Sequence, residues 1–184
     1  MSVGQEGIFF LQADLAYGFC RQIEYGLAIG KSDLQFENAQ KLIAAVVKVY
    51  ARPSAALSAD NTVDRQFAAV ALVARYRAGQ LPLGARSQVE EPIPVDESRL
   101  ILAALGGMKW TDPPLEPSGV MSLPNAFRQL QLSEKDGWRE PQPKANEHPD
   151  EVIGKAVAEW FKDHSAKYRI QRHVVRETDA RHVR

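Results

Sequence analysis

The chain has 184 residues, of which 45% are hydrophobic and 25% are charged, and its formal net charge is zero. This length and composition predict one globular domain with an appendage and exclude the disordered and fibrous classes. A neutral balance also disfavours a dedicated nucleic-acid-binding domain, which is basic throughout.

Three helices are predicted in the first eighty residues. Apolar residues recur at intervals of three or four from Ile8 to Leu27, which predicts a first helix over about 5–29. A capping-box pattern at Ser32 starts a second helix that Pro53 ends, and a third is predicted over 62–78. Because the connections are short, we expect an antiparallel three-helix unit over 5–79.

The middle of the chain, residues 80–139, is interrupted by prolines and predicts irregular structure with two short helices. These helices are expected over 97–105 and 124–132. Residues 88–95 fit either an edge strand or an extended crossing. Together with the three-helix unit, this middle segment forms the predicted body, residues 1–139.

The C-terminal part of the chain carries a concentration of positive charge. Residues 162–184 hold seven Lys and Arg against three Asp and Glu, whereas residues 1–161 hold sixteen against twenty. Three prolines within 140–149 indicate a semi-rigid linker, and a last helix is predicted to begin at about 150. The sequence therefore predicts a basic, amphipathic helical arm over 150–184.

Four cations share one face of that helix if it continues without a break: Lys162, Arg169, Arg172 and Arg176. They would form a stripe of about 21 Å, long enough to follow several phosphates of a nucleic-acid backbone. The same stripe could instead be a solvated helix face or could dock on an acidic protein surface. These four residues are the candidate anion-binding or nucleic-acid-binding residues.

Trp138 and Trp160 are the candidate interface residues, because tryptophan is enriched where proteins meet. The alternative is that each pins a loop to the body. No catalytic residue, metal ion or cofactor is predicted. His164 and His173 are nine residues apart and would face opposite sides of a helix, and Asp60 and Asp64 are explained by a helix start.

Cellular location is inferred from cysteine use and hydropathy. Cys20 is the only cysteine, no apolar run reaches the roughly 20 residues of a membrane span, and the N-terminus lacks a positively charged leader. We therefore expect a cytoplasmic location and no membrane partner.

The leading functional hypothesis is a mainly α-helical, non-enzymatic subunit or adaptor of a larger assembly. Its basic arm would contact an anionic partner, either a nucleic-acid backbone or an acidic protein surface, and a protein partner or homo-oligomer is expected. One alternative is a small enzyme that uses Asp60 and Asp64 with a divalent cation. Another is a purely structural oligomer.

Overall fold

The computed structural model describes residues 29–77, 88–115 and 121–175, together with the backbone of three short strands at 7–8, 11–14 and 19–22. Within these residues the fold is mainly helical. The α-helices are α1 (Phe36–Ala51), α2 (Pro53–Leu57), α3 (Thr62–Arg77), α4 (Val95–Gly106), α5 (Leu123–Gln129) and α6 (Pro149–His164). No helix in the described part of the chain is long and apolar enough to cross a membrane.

Short antiparallel strand pairs complete the described fold. The strands are β1 (Gly7–Ile8), β2 (Leu11–Asp14), β3 (Phe19–Gln22), β4 (Ile29–Gly30), β5 (Gln88–Pro92) and β6 (Gln171–Val175). The N-terminal strands β1 and β4 pair, as do β2 and β3, whereas β5 near the middle pairs with β6 near the C-terminus.

The predicted first helix is wrong at the residues that the structure describes. Leu11 of β2 lies opposite Gln22 of β3, and Asp14 lies opposite Phe19, so the described residues form an antiparallel strand pair. The sequence contains the competing signals: aromatic and β-branched residues favour strands, and glycine costs about 1 kcal/mol in a helix interior. The antiparallel three-helix unit is therefore not found.

The second and third predicted helices are confirmed as α1 and α3, and Pro53 ends α1 by becoming the first residue of α2. The predicted start of α1 needs correction. Gln35 at the N-cap makes no side-chain capping bond, and Asp33 Oδ1 instead accepts a hydrogen bond from the Gln35 amide at 3.0 Å. This local turn delays α1 until Phe36.

Helix α3 is the centre of the core. Its residues 68–73 are all buried, and it contacts α1, α2, α4, α5 and β6. Three of these six residues are alanines, which allow neighbouring helices to approach closely, while Val70, Leu72 and Val73 supply apolar area. Burying a side chain of that size contributes about 1.5–3 kcal/mol.

In the middle of the chain the two predicted short helices are confirmed as α4 and α5, each with slightly different bounds. The two alternatives for 88–95 are resolved in favour of a strand. Residues Gln88–Pro92 form β5, which pairs with β6, and Pro92 at its end lies opposite Gln171. A proline is tolerated there because the end of a strand can lack an amide donor.

The C-terminal helix begins as predicted but ends at His164, so a continuous helix through Arg176 is wrong. A turn follows, in which the amides of Lys167 and Tyr168 donate to the His164 carbonyl. The buried Ile170 then donates its amide to Ser98 Oγ at 3.1 Å, and β6 pairs with β5. Pairing with a strand about eighty residues earlier ends the helical path.

Residues on both sides of the predicted linker contribute to one hydrophobic core. Val157, Trp160 and Phe161 of α6 are buried and belong to the same cluster as Leu72 and Phe127. Residues 140–148 contain no helix or strand. The segment after them, which was predicted as an arm, thus packs against the body through α6.

Candidate anion-binding site

A cavity of about 480 Å³ opens where the end of α3, β5, the segment after α5 and the turn after α6 meet. Its size falls within the usual range for ligand pockets, roughly 300–1,000 Å³. We call it the charged cavity, because most of its lining side chains are ionisable or polar. The lining residues that carry its charge and chemistry are Arg77, Glu90, Gln131, Glu134, Lys135, Asp136, His164, Lys167, Tyr168 and Arg169.

Arg77 provides a buried positive charge in the wall of this cavity, with a side chain only 3% exposed. Its Nε donates to the Gln129 carbonyl at 3.0 Å, its Nη1 to Glu90 Oε1 at 2.7 Å and its Nη2 to Gln131 Oε1 at 2.8 Å. A buried guanidinium requires such partners, since an unpaired charge in the interior is strongly unfavourable. These bonds join the end of α3 to β5 and to the end of α5 through one side chain.

Glu90 of β5 is the carboxylate partner of Arg77. The hydrogen bond from Arg77 lowers the pKa of Glu90 below its ordinary value. Partial burial raises this pKa, whereas the charge of Arg77 and the contact with His173 lower it further. Nε2 of His173 lies 3.2 Å from Glu90 Oε1, across the β5–β6 pair. Glu90 is therefore ionised at neutral pH and engaged by two basic groups.

Tyr168 closes the cavity on the α6 side. Burial, the largest cause, raises the pKa of Tyr168 to about 12, although the nearby Arg77 charge opposes this shift. Its hydroxyl donates to the Leu130 carbonyl at 3.3 Å. The phenol is thus neutral at physiological pH and serves as a structural donor rather than as an acid or base.

Two residues in the left-handed backbone region shape the rim. Gln131, just after α5, has φ 53°, and Gly137 has φ 77°. A Cβ on Gly137 would overlap the imidazole of His164, which lies directly on this glycine and stacks on Trp160 with 6.4 Å between ring centroids. Glycine is required there on both counts, because it tolerates positive φ and leaves room for the ring.

The acidic side chains at the cavity all have basic or donor partners within the molecule. Glu90 pairs with Arg77, and Glu134 pairs with Arg139 at 3.1 Å. The Asp136 carboxylate accepts hydrogen bonds from the amide and hydroxyl of Ser133 at 2.9 and 2.7 Å, as part of a capping box. The negative charges are therefore engaged before any ligand arrives.

The cations at the rim are placed differently. Lys135 and Lys167 are exposed, and neither ammonium has an ion pair or hydrogen bond among the residues described here. Arg169 is also exposed and donates through Nη2 to the Ile93 carbonyl, which is a neutral acceptor. The cavity thus offers positive charge to an anion, and its own carboxylates are already occupied.

Of the three predicted anion-binding residues that the structure describes, only Arg169 lines this cavity. Lys162 is exposed on α6, about 200° around the helix axis from His164, and so faces away from the cavity. Arg172 lies on β6 and pairs with Glu91 of β5 at 3.3 Å. Arg176 lies outside the described residues. The predicted straight stripe is absent because the helix that would have carried it ends at His164.

The two predicted interface tryptophans have different positions. Trp160 is 2% exposed, and its Nε1 donates to the Asp136 carbonyl at 2.9 Å, so it is a core residue and presents no surface to a partner. Trp138 is half-buried and packs edge-on against Phe127 at a centroid distance of 4.7 Å. Trp138 alone keeps a position compatible with an interface role.

The carboxylates considered for catalysis lie elsewhere. Asp60 and Asp64 are exposed near the start of α3, and neither lines the charged cavity. Asp64 borders a separate cavity of about 340 Å³ beside Phe67. Across the described ranges, no group of three or more His, Cys, Asp or Glu side chains is suited to hold a metal ion.

Sequence reasoning missed Arg77, Lys135 and Lys167. Arg77 is in the last turn of α3, where a cation normally suggests a solvated helix end. Lys167 belongs to the basic C-terminal segment, but in one continuous helix it would not lie on the same face as the four predicted cations. The available signal was at Lys135, because Ser133 and Asp136 around it have the spacing of a capping box.

Among the described residues, this cavity combines a buried guanidinium, internally bonded carboxylates and exposed lysines. Its phenol is neutral, its carboxylates are engaged, and its rim lysines are accessible. Comparison of the chain with models of protein families, with curated proteins and with solved structures finds no match.

Proposed function

We propose that the protein is a non-enzymatic helical subunit or adaptor that holds an acidic segment of a protein partner at the charged cavity. The observation that carries this proposal is the difference in partners around the rim. Glu90, Glu134 and Asp136 are engaged internally, while Lys135 and Lys167 have no ionic partner within the described chain. The carboxylate of a bound partner would supply the ionic partner that these two lysines lack.

The placement of charge favours an acidic peptide over a nucleic-acid backbone. A backbone presents evenly spaced phosphates and is best followed by a line of cations. Here the cations come from two segments of the chain and line a cavity together with the carboxylates of Glu134 and Asp136, an arrangement that suits a single carboxylate better than a row of phosphates. A peptide can place one carboxylate inside the rim and keep its remaining groups clear of those acids.

The cations that would make this contact differ from the predicted set. Arg169 remains, Lys135 and Lys167 replace Lys162 and Arg172, and Arg176 lies outside the described residues. Each exposed ion pair contributes about 0.2–1 kcal/mol, which corresponds to a change of up to roughly fivefold in affinity. Three such contacts amount to a modest, salt-sensitive interaction suited to one element of a larger interface.

Fluorescence anisotropy with a labelled oligoglutamate peptide at low ionic strength tests the proposal. Binding by the native protein should weaken by roughly tenfold or more when Lys135, Lys167 and Arg169 are all changed to alanine. The matched control changes Lys144, Lys155 and Lys162 to alanine. These three residues are exposed and lie outside the cavity lining, so the net charge falls equally while the site stays intact.

A labelled single-stranded oligodeoxynucleotide of equal formal charge provides the comparison. Tighter binding of the oligonucleotide than of oligoglutamate, with the same dependence on the three cavity cations, would replace the protein partner by a nucleic acid. Equal losses in both triple variants would show that only net charge matters and would refute the site. If the native protein binds neither probe but forms a defined self-associated species, the structural-oligomer alternative is favoured.

A further inference from the structure

A second, smaller cavity of about 190 Å³ lies beside the charged cavity and has a different character. Its walls are mainly aromatic and aliphatic, and we call it the aromatic cavity. The residues that define it are Trp110, Phe127, Leu132, Trp138 and Ile153, with Arg128 and Glu140 at its edge. The volume fits one apolar side chain rather than a whole small-molecule ligand.

The aromatic rings of this cavity form fixed walls. Phe127 meets Trp138 with an interplanar angle of 74° and meets Trp110 with an angle of 83°, so both pairs are edge-to-face. The Trp110 indole donates to Asp150 Oδ1 at 3.2 Å, and the Arg128 guanidinium covers the same ring at 5.6 Å from its centroid. Rings held in this way need little reordering when a side chain enters.

Gln131 is common to both cavities. Its amide donates to the Arg128 carbonyl at 3.1 Å, and its side chain accepts from the buried Arg77 at 2.8 Å. Its φ of 53° is unfavourable for a residue with a side chain, by roughly 1–3 kcal/mol. Gln131 is thus held by contacts to Arg128 and Arg77 at the place where the two cavities meet.

We infer that the two cavities together recognise a short peptide segment in which an acidic side chain is followed or preceded closely by a large aliphatic one. The acidic group enters the charged cavity, and the aliphatic group enters the aromatic cavity across Gln131. This inference rests on the proposed function and adds the apolar half of the motif. Gln131 lines both cavities, so the cations of the first lie close to the aromatic and aliphatic side chains of the second, and this juxtaposition favours such an occupant.

The ring geometry also argues against a nucleobase in the aromatic cavity. Single-stranded nucleic acids bind where an aromatic face lies open as a stacking platform. Here Phe127 is buried, Arg128 covers one face of Trp110, and the remaining rings meet at steep angles. A compact, branched aliphatic side chain fills a space between such walls better than a flat base does.

A peptide series tests this inference on the full-length protein. Each labelled peptide carries two adjacent glutamates in a glycine–serine background, with a single leucine at successive positions to either side, and the matched peptides carry serine in place of leucine. At one or two spacings the leucine peptide should bind about tenfold tighter than its serine partner. Tryptophan fluorescence should change only with those leucine peptides, since Trp110 and Trp138 line the cavity.

Two variants separate the apolar contribution from the ionic one. Trp138→Ala should remove the leucine advantage and leave the affinity for serine peptides unchanged. Because loss of this half-buried ring could weaken the fold, Leu132→Gln at the same cavity serves as a second variant, and it should also abolish the advantage. Urea unfolding of each variant identifies any that is not folded under the binding conditions.

The outcomes distinguish this inference from the function on which it rests. If serine peptides bind through the three cavity cations but leucine adds nothing at any spacing, the two-cavity motif is overturned and the adaptor proposal stands. If no peptide binds, both fail. A leucine advantage that survives both Trp138→Ala and Leu132→Gln would place the apolar contact elsewhere and would equally overturn the inference.

Discussion

The β5–β6 pair and the rim of the charged cavity use positive charge in opposite ways. In the strand pair, Arg172 meets Glu91 and His173 meets Glu90, so basic residues of the C-terminal segment are matched by acids of its own chain. At the rim, Lys135 and Lys167 face solvent without such partners in the described residues. A local excess of Lys and Arg therefore does not by itself identify the cations that lack ionic partners among the described residues.

Substitution of Arg77 tests the cations that are paired within the chain and should give the largest change in the free energy of unfolding. Arg77→Met removes the cation that holds Glu90 and leaves the Gln129 carbonyl without its donor, so the free energy of unfolding should fall by about 2–3 kcal/mol. Urea unfolding measures this change. The control is Arg99→Met. Arg99 is exposed and forms a long ion pair, 3.8 Å, with the exposed Asp96. Its substitution should therefore change the free energy of unfolding by less than about 0.5 kcal/mol. Equal effects would contradict the assignment of Arg77 as a buried network centre.

Substitution of Gly137 tests whether the rim that carries the lysines has a defined, packed conformation. Gly137→Ala should destabilise the fold by about 1–3 kcal/mol, because the residue has positive φ and its new Cβ meets His164. In a His164→Ala background, the steric contribution to this destabilisation disappears. Only the contribution of the positive φ remains, about 1 kcal/mol. A double-mutant cycle by thermal or urea unfolding measures the coupling. Additive effects would mean that His164 does not pack on Gly137.

Substitution of Glu90 should give the smallest change in stability, and the size of this change should depend on pH. Its folded-state pKa lies below the ordinary value of 4.5, so its stabilisation is present above the unfolded pKa and is lost as pH falls through the folded pKa. Glu90→Gln should therefore lower stability at neutral pH, and the difference from the native protein should shrink as pH drops well below 4.5. Urea midpoints across this pH range provide the measurement. A difference that stayed constant with pH would show that the carboxylate charge is not what Arg77 and His173 recognise.

Sequence patterns predicted those parts of the fold that local signals determine. Helices α1, α3, α4 and α5 follow from apolar periodicity, proline placement and glycine stops, and the start of α6 follows from Pro149. The pairing of β2 with β3 was missed because the spacing of apolar residues between Ile8 and Leu27 also fits a helix. Only the pairing of Leu11 with Gln22 decides between the two.

The candidate site could not be predicted in the same way, because distant segments build it. Arg77 bonds Glu90 thirteen residues away, Gln131 fifty-four away and Gln171 ninety-four away. The end of α6 at His164 likewise depends on the pairing of β6 with β5. The sequence indicated the basic segment and placed Arg169 among the candidates, but only the three-dimensional arrangement separates the cations that have ionic partners from those that have none among the described residues.

The most direct test of the central claim compares two double variants with the same loss of charge. Lys135→Ala with Lys167→Ala removes rim cations that have no ionic partner in the described structure, whereas Arg99→Ala with Arg172→Ala removes cations paired to Asp96 and Glu91. Titration of each with labelled oligoglutamate at low salt should show severalfold weaker binding for the first pair and near-native binding for the second. Equal weakening in both, or a greater loss in the arginine pair, would contradict the claim that unpaired rim lysines form the binding site.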